Sequence, residues 1–218
     1  KENAQILALS LIEYGFDLVT NGTDNHIVLV DLKSIELTGN KMELLCESVD
    51  ISLNKNCIYG DKNAMSPSGI RIGTPAMTSR GFQSNEFKTI AKFLKEIAEI
   101  GIEIQIKYGK LLNDFKEKMI AEDTSDNTIK NYVSDIKIFF NWYQEIGFLE
   151  NIDKITYYHL NTYKDYLIHN QRKKASSINR NIQSLKKFFQ FTADKKLIKG
   201  NPAEKIKFLK QTKRTKPK

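Results

Sequence analysis

Along the first half of the chain the spacing of apolar positions switches between two periods, and each switch predicts a change of element. Phe16–Thr20 and His26–Leu32 are short runs of β-type residues around the turn formers Asn21, Gly22, Thr23 and Asp24, which predicts two paired strands. Thr38 stands where an N-cap is expected, ahead of a helix carrying Met42, Leu45 and Val49. Gly60–Gly69, rich in Gly, Ser, Pro and Asn, reads as a loop, and Ile70–Gly73 as a short buried strand after it. Behind Ser84, expected as a cap, Phe87, Ile90, Ala91, Leu94, Ile97 and Ala98 recur at helical spacing, and this helix is expected to run past Gly101 toward Phe115.

From Ser125 onward no strand pattern appears. Ile129, Tyr132, Val133, Ile136, Phe140 and Tyr143 fall at i, i+3, i+4, i+7, i+11 and i+14, which predicts a helix closed by Gly147. A second helix is expected from the cap Thr156 through Leu160, Tyr163 and Leu167. A third, from Ser176 or Ser177 to about Asp194, would bury Ile178, Ile182, Leu185 and Phe189. Gly200, Asn201 and Pro202 interrupt the pattern, and Pro202 suits the first turn of a short last helix ending near Leu209. Lys210–Lys218 is basic without apolar periodicity and reads as a linker or tail. The pattern thus predicts an α+β segment over 1–119, an all-α four-helix segment over 120–209 and a basic end over 210–218.

Charge divides the chain at the same place. Residues 1–119 hold 14 Lys and Arg against 16 Asp and Glu, whereas residues 120–218 hold 20 against 10, within an overall +8. Such asymmetry suggests two segments with different partners, the basic one facing a polyanion. No run of about 18 apolar residues exists to span a bilayer and no signal peptide opens the chain, so no membrane partner and a cytoplasmic location are expected. Cys46 and Cys57 are in neither a metal spacing nor a CxxC, which is the pattern of free thiols in a reducing compartment. No metal site is expected.

The third predicted helix carries the chemistry most suited to a polyanion. A rotation of 100° per residue gathers Ser176, Arg180, Gln183 and Lys187 opposite the apolar stripe, with no carboxylate on that line. Lys173 and Lys174 precede the helix, whose free N-terminal amides favour anions. The first helix offers Lys130, Ser134, Lys137 and Asn141, and the two faces together are expected to straddle double-stranded DNA. A lysine-rich helix face is more often a solvated surface than a binding site. The basic balance of this half, the two matching stripes and the basic tail weigh the other way.

Thr128-Ile129-Lys130-Asn131-Tyr132, Phe139-Phe140-Asn141-Trp142, Ser177-Ile178-Asn179-Arg180-Asn181, Lys187-Phe188-Phe189 and Gly200-Asn201-Pro202 together resemble the N-terminal core-binding domain of tyrosine recombinases, the phage integrase and Xer type, over residues 123–210. The resemblance implies a four-helix SAM-like fold that clamps a recombination site, with Ser176, Arg180 and Lys187 toward DNA. That family's catalytic domain is expected after the linker. His169-Asn170-Gln171-Arg172 fits the letters HxxR but lacks the companion Arg, Lys and nucleophilic Tyr, and is read as chance. No strand cleavage and no catalytic residue are expected of the chain.

In the first segment, Thr23-Asp24-Asn25-His26, Asn54-Lys55-Asn56 and Ser68 through Phe82, with its run Gly69-Ile70-Arg71-Ile72-Gly73-Thr74-Pro75-Ala76-Met77-Thr78, resemble the C-terminal small domain of serine hydroxymethyltransferase, a fold-type I pyridoxal phosphate enzyme. Lys107–Leu112 extends the similarity across nearly all of 1–119. The resemblance implies that Arg71 holds a substrate carboxylate and Asn56 contacts folate, and a guanidinium suits the first role because it clamps a carboxylate bidentately. Without the family, a surface salt bridge is the commoner role for such an arginine, and His26 reads as a hydrogen-bonded structural group. The family's cofactor lysine belongs to a large domain expected upstream of Lys1. No cofactor is therefore expected for this chain alone, and pyridoxal phosphate and tetrahydrofolate only where that domain is supplied. The sequence leaves open a DNA-binding fusion without catalysis, an excerpt of a hydroxymethyltransferase, and an artificial joining. Self-association or a missing flanking domain are the remaining partners.

Overall fold

A computed structural model describes residues 1–64, 66–146 and 151–210. The chain forms two compact units, Lys1–Lys107 and Tyr108–Lys218, dividing ahead of the charge step. Gly147, expected as a helix stop, and the tail from residue 211 lie outside the described residues.

In the first unit, α1 (Glu2–Glu13) leads into an antiparallel sheet of order β1-β2-β4-β3, with β1 at Asp17–Leu18, β2 at Ile27–Asp31, β3 at Asn54–Asn56 and β4 at Gly69–Gly73. The first two strands pair around the expected turn, Asp17 opposite Asp31. Alternation decides the faces: Val28 and Val30 of β2 and Ile70 and Ile72 of β4 are buried, as are Ala4, Leu7 and Leu11 of α1, and Arg71, one residue out of phase, is exposed. Strand β3 carries no apolar alternation and holds its place by pairing, Lys55 against Ile70. Gly69 in β4 sits where a Cβ would lie 2.6 Å from Ile58 and 2.9 Å from the carbonyl oxygens of Val30 and Asn56, so only glycine fits between the two neighbouring strands.

Helix α2 (Gly39–Glu47) begins at the expected cap, Thr38 Oγ1 accepting the Lys41 N–H at 3.3 Å. It ends before Val49, which is exposed rather than part of the apolar face: Asp50 adopts a positive φ of 61° and the Ile51 N–H turns back to the Cys46 carbonyl. Burial of Cys46 pushes its thiol up to about 12, which removes it from thiolate chemistry at neutral pH. The short helix α3 (Pro75–Ser79) follows β4 with proline in its first turn. Helix α4 (Ser84–Ala121) is longer than its pattern predicts, and the Glu86 carboxylate, not Ser84, closes its start by accepting the Gln83 N–H at 2.8 Å.

Between β3 and β4, Asp61 ties the loop together. Its carboxylate accepts from the Ile58 N–H, the Ser68 N–H and the Ser68 hydroxyl at 3.0, 2.9 and 2.5 Å. These bonds, led by the Ser68 hydroxyl and backed by Lys33, hold the Asp61 carboxyl below its ordinary range. A depressed folded value contributes stability above the unfolded value of about 4 and loses it as pH falls below that value. Asp61→Asn is therefore expected to melt below the parent at neutral pH, with the gap closing on acidification below about pH 4. A gap constant with pH would contradict this account of the loop.

In the second unit, the last turns of α4 join α5 (Asp126–Glu145), α6 (Tyr157–His169) and α7 (Ala175–Asp194). The apolar stripes meet in a core of rings. Phe139 lies 5.1 Å from Tyr163, 5.7 Å from Tyr143 and 6.1 Å from Phe189, and Phe115 of α4 meets Phe188 edge-on at 5.3 Å. Tyr108 stacks on Phe140 at 4.4 Å. These contacts explain why Tyr108, Leu111, Leu112, Phe115 and Met119 are buried in this unit although the sequence groups them with the preceding helix. Helix α6 starts as expected at Thr156, whose N–H is accepted by His159 Nδ1 at 3.2 Å.

The expected helix over Pro202–Leu209 does not form. Asn201 uses its side chain to accept the Ala203 N–H at 2.9 Å and to donate to the Lys186 carbonyl, which fixes a turn. Ala203 and Ile206 are buried, and Asn179 of α7 pairs with both backbone groups of Leu209 at 2.7 and 2.9 Å. The chain thus satisfies its polar groups against α7 instead of within a helix of its own.

Candidate nucleic-acid interface

Helix α7 places Ser176, Arg180, Gln183 and Lys187 on its outer side as its periodicity requires, while Ile178, Ile182, Leu185 and Phe189 fill the core. On α5, Lys130, Ser134, Lys137 and Asn141 are likewise exposed. Among the described residues no side chain caps α7: Lys174, next to Lys173, occupies the N-cap with extended backbone, and of the first-turn amides that of Ser177 donates to the Lys174 carbonyl at 2.9 Å.

The cations on these faces differ in what they are free to do. Arg180 folds back onto α5, its Nη2 and Nε donating to the two Asp135 oxygens at 2.8 and 3.1 Å and its Nη1 to Asn131 at 3.3 Å. Asp135 is 1% exposed and also accepts the Ser184 hydroxyl at 2.8 Å. Lys187 Nζ lies 2.8 Å from Glu122, and hydrogen bonding from Lys187 holds that carboxyl below its usual range. The stripe itself has no carboxylate, but packing brings two to it from other elements, which a single helix's periodicity does not reveal. Lys130, Lys137, Lys173 and Lys174 make no ion pair with any described residue. They carry the uncompensated positive charge of the face, and Ser176 and Gln183 supply neutral hydrogen-bonding groups between them.

Asp135, the buried partner of Arg180, is the residue that sequence reasoning overlooked. Its signal was its place next to Ile136 within the buried arc of α5, where a carboxylate needs a cation from a neighbouring element. The letters HxxR fall at the end of α6 and in the turn behind it, with Arg172 at a φ of 47° and both side chains exposed.

In the first unit, Arg71 is exposed on the outer face of β4, between Leu29 of β2 and Asn54 of β3 in register. It makes no ion pair with a described residue, so the salt bridge expected of an ordinary surface arginine is not formed there. Asn56 lies in β3 two residues from Asn54, its side-chain amide donating to the Cys57 carbonyl at 2.6 Å. His26 contributes its backbone carbonyl, which accepts from the Thr74 N–H at 3.1 Å and the Thr74 hydroxyl at 3.2 Å, and its side chain is exposed. Among the described residues no cluster of three or more His, Cys, Asp and Glu is placed to hold a metal, and no helix is long and apolar enough to cross a membrane.

Each unit matches a different family. Residues 1–94 match the family model of serine hydroxymethyltransferase, and residues 112–196 that of the phage integrase N-terminal SAM-like domain. The second match begins within α4, where Phe115 and Met119 enter the helical core. Serine hydroxymethyltransferase 4 of Arabidopsis thaliana is 43% identical over 149 residues, covering 68% of this chain and 31% of its own length. Serine hydroxymethyltransferase of Plasmodium falciparum is 44% identical over 131 residues, 60% of this chain and 30% of its own. The cytosolic enzyme of Oryctolagus cuniculus is 37% identical over 139 residues, 63% of this chain and 29% of its own. The chain therefore spans under a third of the curated relatives it matches.

Proposed function

We propose that the helical unit binds double-stranded DNA through the outer faces of α5 and α7, in the manner of a recombinase core-binding domain of the four-helix SAM-like type. The observation that carries the reading is the set of lysines without ion pairs, Lys130, Lys137, Lys173 and Lys174, two of them at the uncapped start of α7. Lysines tied to carboxylates would have to be stripped of them before meeting phosphate, whereas these four need not be. Arg180 and Lys187 lie on the outer side of α7, but their first partners are Asp135 and Glu122. Contacts of this kind position a protein on a duplex and carry little sequence information. The match to the integrase segment supports the same reading and gives it a context of DNA integration. The test is fluorescence anisotropy of the full chain with a duplex of mixed sequence. Binding at low salt that weakens steeply with added salt is expected, and absence of binding near 50 mM salt would refute it.

A second reading applies to the first unit and rests on Arg71. As a small domain of a fold-type I enzyme, this unit would offer the Arg71 guanidinium to an amino-acid carboxylate and Asn56 to a folate, within a serine hydroxymethyltransferase active site. Exposure of Arg71 without a paired carboxylate supports the role. Pyridoxal phosphate chemistry requires an amine able to form an imine. Lys55, the lysine in the strand beside Arg71, is bound to Glu43 at 2.7 Å. The residues around Arg71 fit a substrate carboxylate and not the cofactor's anchor, so no step through the cofactor follows from them. A cytoplasmic location suits both readings.

A further inference from the structure

Between the last turns of α4 and the outer side of α5 the helical unit has a groove of about 780 Å³, whose α5 wall shares Lys130 and Lys137 with the surface assigned to the duplex. Its floor is apolar: Leu112 and Ile129 are buried beneath it, Val133 is half-buried and Ile120 is 54% exposed along it. Gly109 leaves a notch in the α4 wall, where a Cβ would meet nothing within 4 Å. The rim is basic, with Lys116 on the α4 side and Lys130 and Lys137 on the α5 side, none ion-paired to a described residue. Asp126, in the first turn of α5, is the one carboxylate among the described residues that lines it.

An apolar floor between basic walls selects its occupant by both properties. Phosphodiester backbone would satisfy the lysines but leave Ile120 and Val133 uncovered. An amphipathic helix with carboxylates flanking its apolar stripe would cover the floor and meet both walls, and Asp126 would favour a basic residue at one end. We infer that this groove docks an acidic amphipathic helix of a partner protein. The inference goes beyond DNA binding: the groove shares Lys130 and Lys137 with the surface assigned to the duplex, but Gly109, Lys116 and Ile120 lie outside that surface, so variants at 109 and 116 separate the two.

The probe is a fluorescein-labelled peptide of about 18 residues with leucines on one helical face and glutamates beside them, titrated into the full chain. Binding is expected, weakened at least about tenfold when the peptide's glutamates are replaced by lysines. Gly109→Trp, which fills the notch from an exposed helix position, and Lys116→Glu, which reverses one wall, are each expected to weaken it as much while the helical circular dichroism and duplex binding stay at parental values. Equal binding of the two peptides, or an unaffected Gly109→Trp variant, would overturn the inference. Loss of duplex binding in these two variants would also overturn it, by giving the groove to nucleic acid, as would a dimer of the chain that Gly109→Trp dissociates. Peptide binding that meets expectation in a chain that fails to bind duplex would sink the DNA reading and leave the groove standing.

Discussion

A chain carrying Arg180→Glu is expected to lose the stability of its helical unit, not merely a contact on its surface. Asp135 is 1% exposed and its charge is met by the Arg180 fork, with Ser184 taking a further lone pair. Breaking such a pair by removing one partner costs about 3–5 kcal/mol, because the remaining charge stays buried. Glutamate adds a second carboxylate beside it. The Arg180 side chain is 46% exposed, so water screens part of this and the lower end, about 3 kcal/mol, is the expected cost. That is a large share of the ~5–15 kcal/mol that holds a domain together. Urea unfolding should show the midpoint of the helical signal moved well down. Arg180→Lys should fall between, since it keeps the charge and loses the bidentate fork. An Arg180→Glu chain as stable as its parent would mean that Asp135 is solvated. Until that measurement is made, loss of DNA binding in an Arg180 variant reports on folding as much as on contact.

The lysines without ion pairs give the cleaner perturbation and the largest expected effect on function. Lys130→Glu, Lys137→Glu and Lys174→Glu combined should lower duplex affinity by about a hundredfold or more at moderate salt, because three attractions to phosphate become three repulsions. Stability should change by less than about 0.5 kcal/mol, as is usual for surface substitutions away from structural partners. Anisotropy titration alongside thermal melting separates the two quantities. Unchanged affinity in a folded triple variant would move the interface off these helices.

Much of this was legible along the chain because period and charge are local. The paired strands β1 and β2, the Thr38 cap and the three helices α5, α6 and α7 each follow from residues within one short window. What escaped depends on partners distant in sequence. Strand β3 has only polar residues, Asn54, Lys55 and Asn56, and exists because β4 offers it an edge. The last turns of α4 read as the end of the first segment, yet Phe115 finds its neighbours in Phe188 and Phe191. Pro202 has the form of a helix start, but Asn179 and Asn201 hold the following residues in a turn and an irregular run. The candidate interface divided in the same way. Its outward positions followed from helical rotation, whereas the commitment of Arg180 to Asp135 and of Lys187 to Glu122 arises only when three elements pack.

Phosphate contact has a quantitative signature in its salt dependence, since each lysine that neutralises a phosphate releases condensed counterion and adds about one unit to the slope of log affinity against log salt. The most direct measurement is that slope for the full chain and for a Lys130→Ala, Lys137→Ala, Lys174→Ala variant between about 50 and 200 mM salt. A variant slope shallower by about three, with folding intact, is the predicted result. Identical slopes for the two chains would contradict DNA binding through the outer faces of α5 and α7.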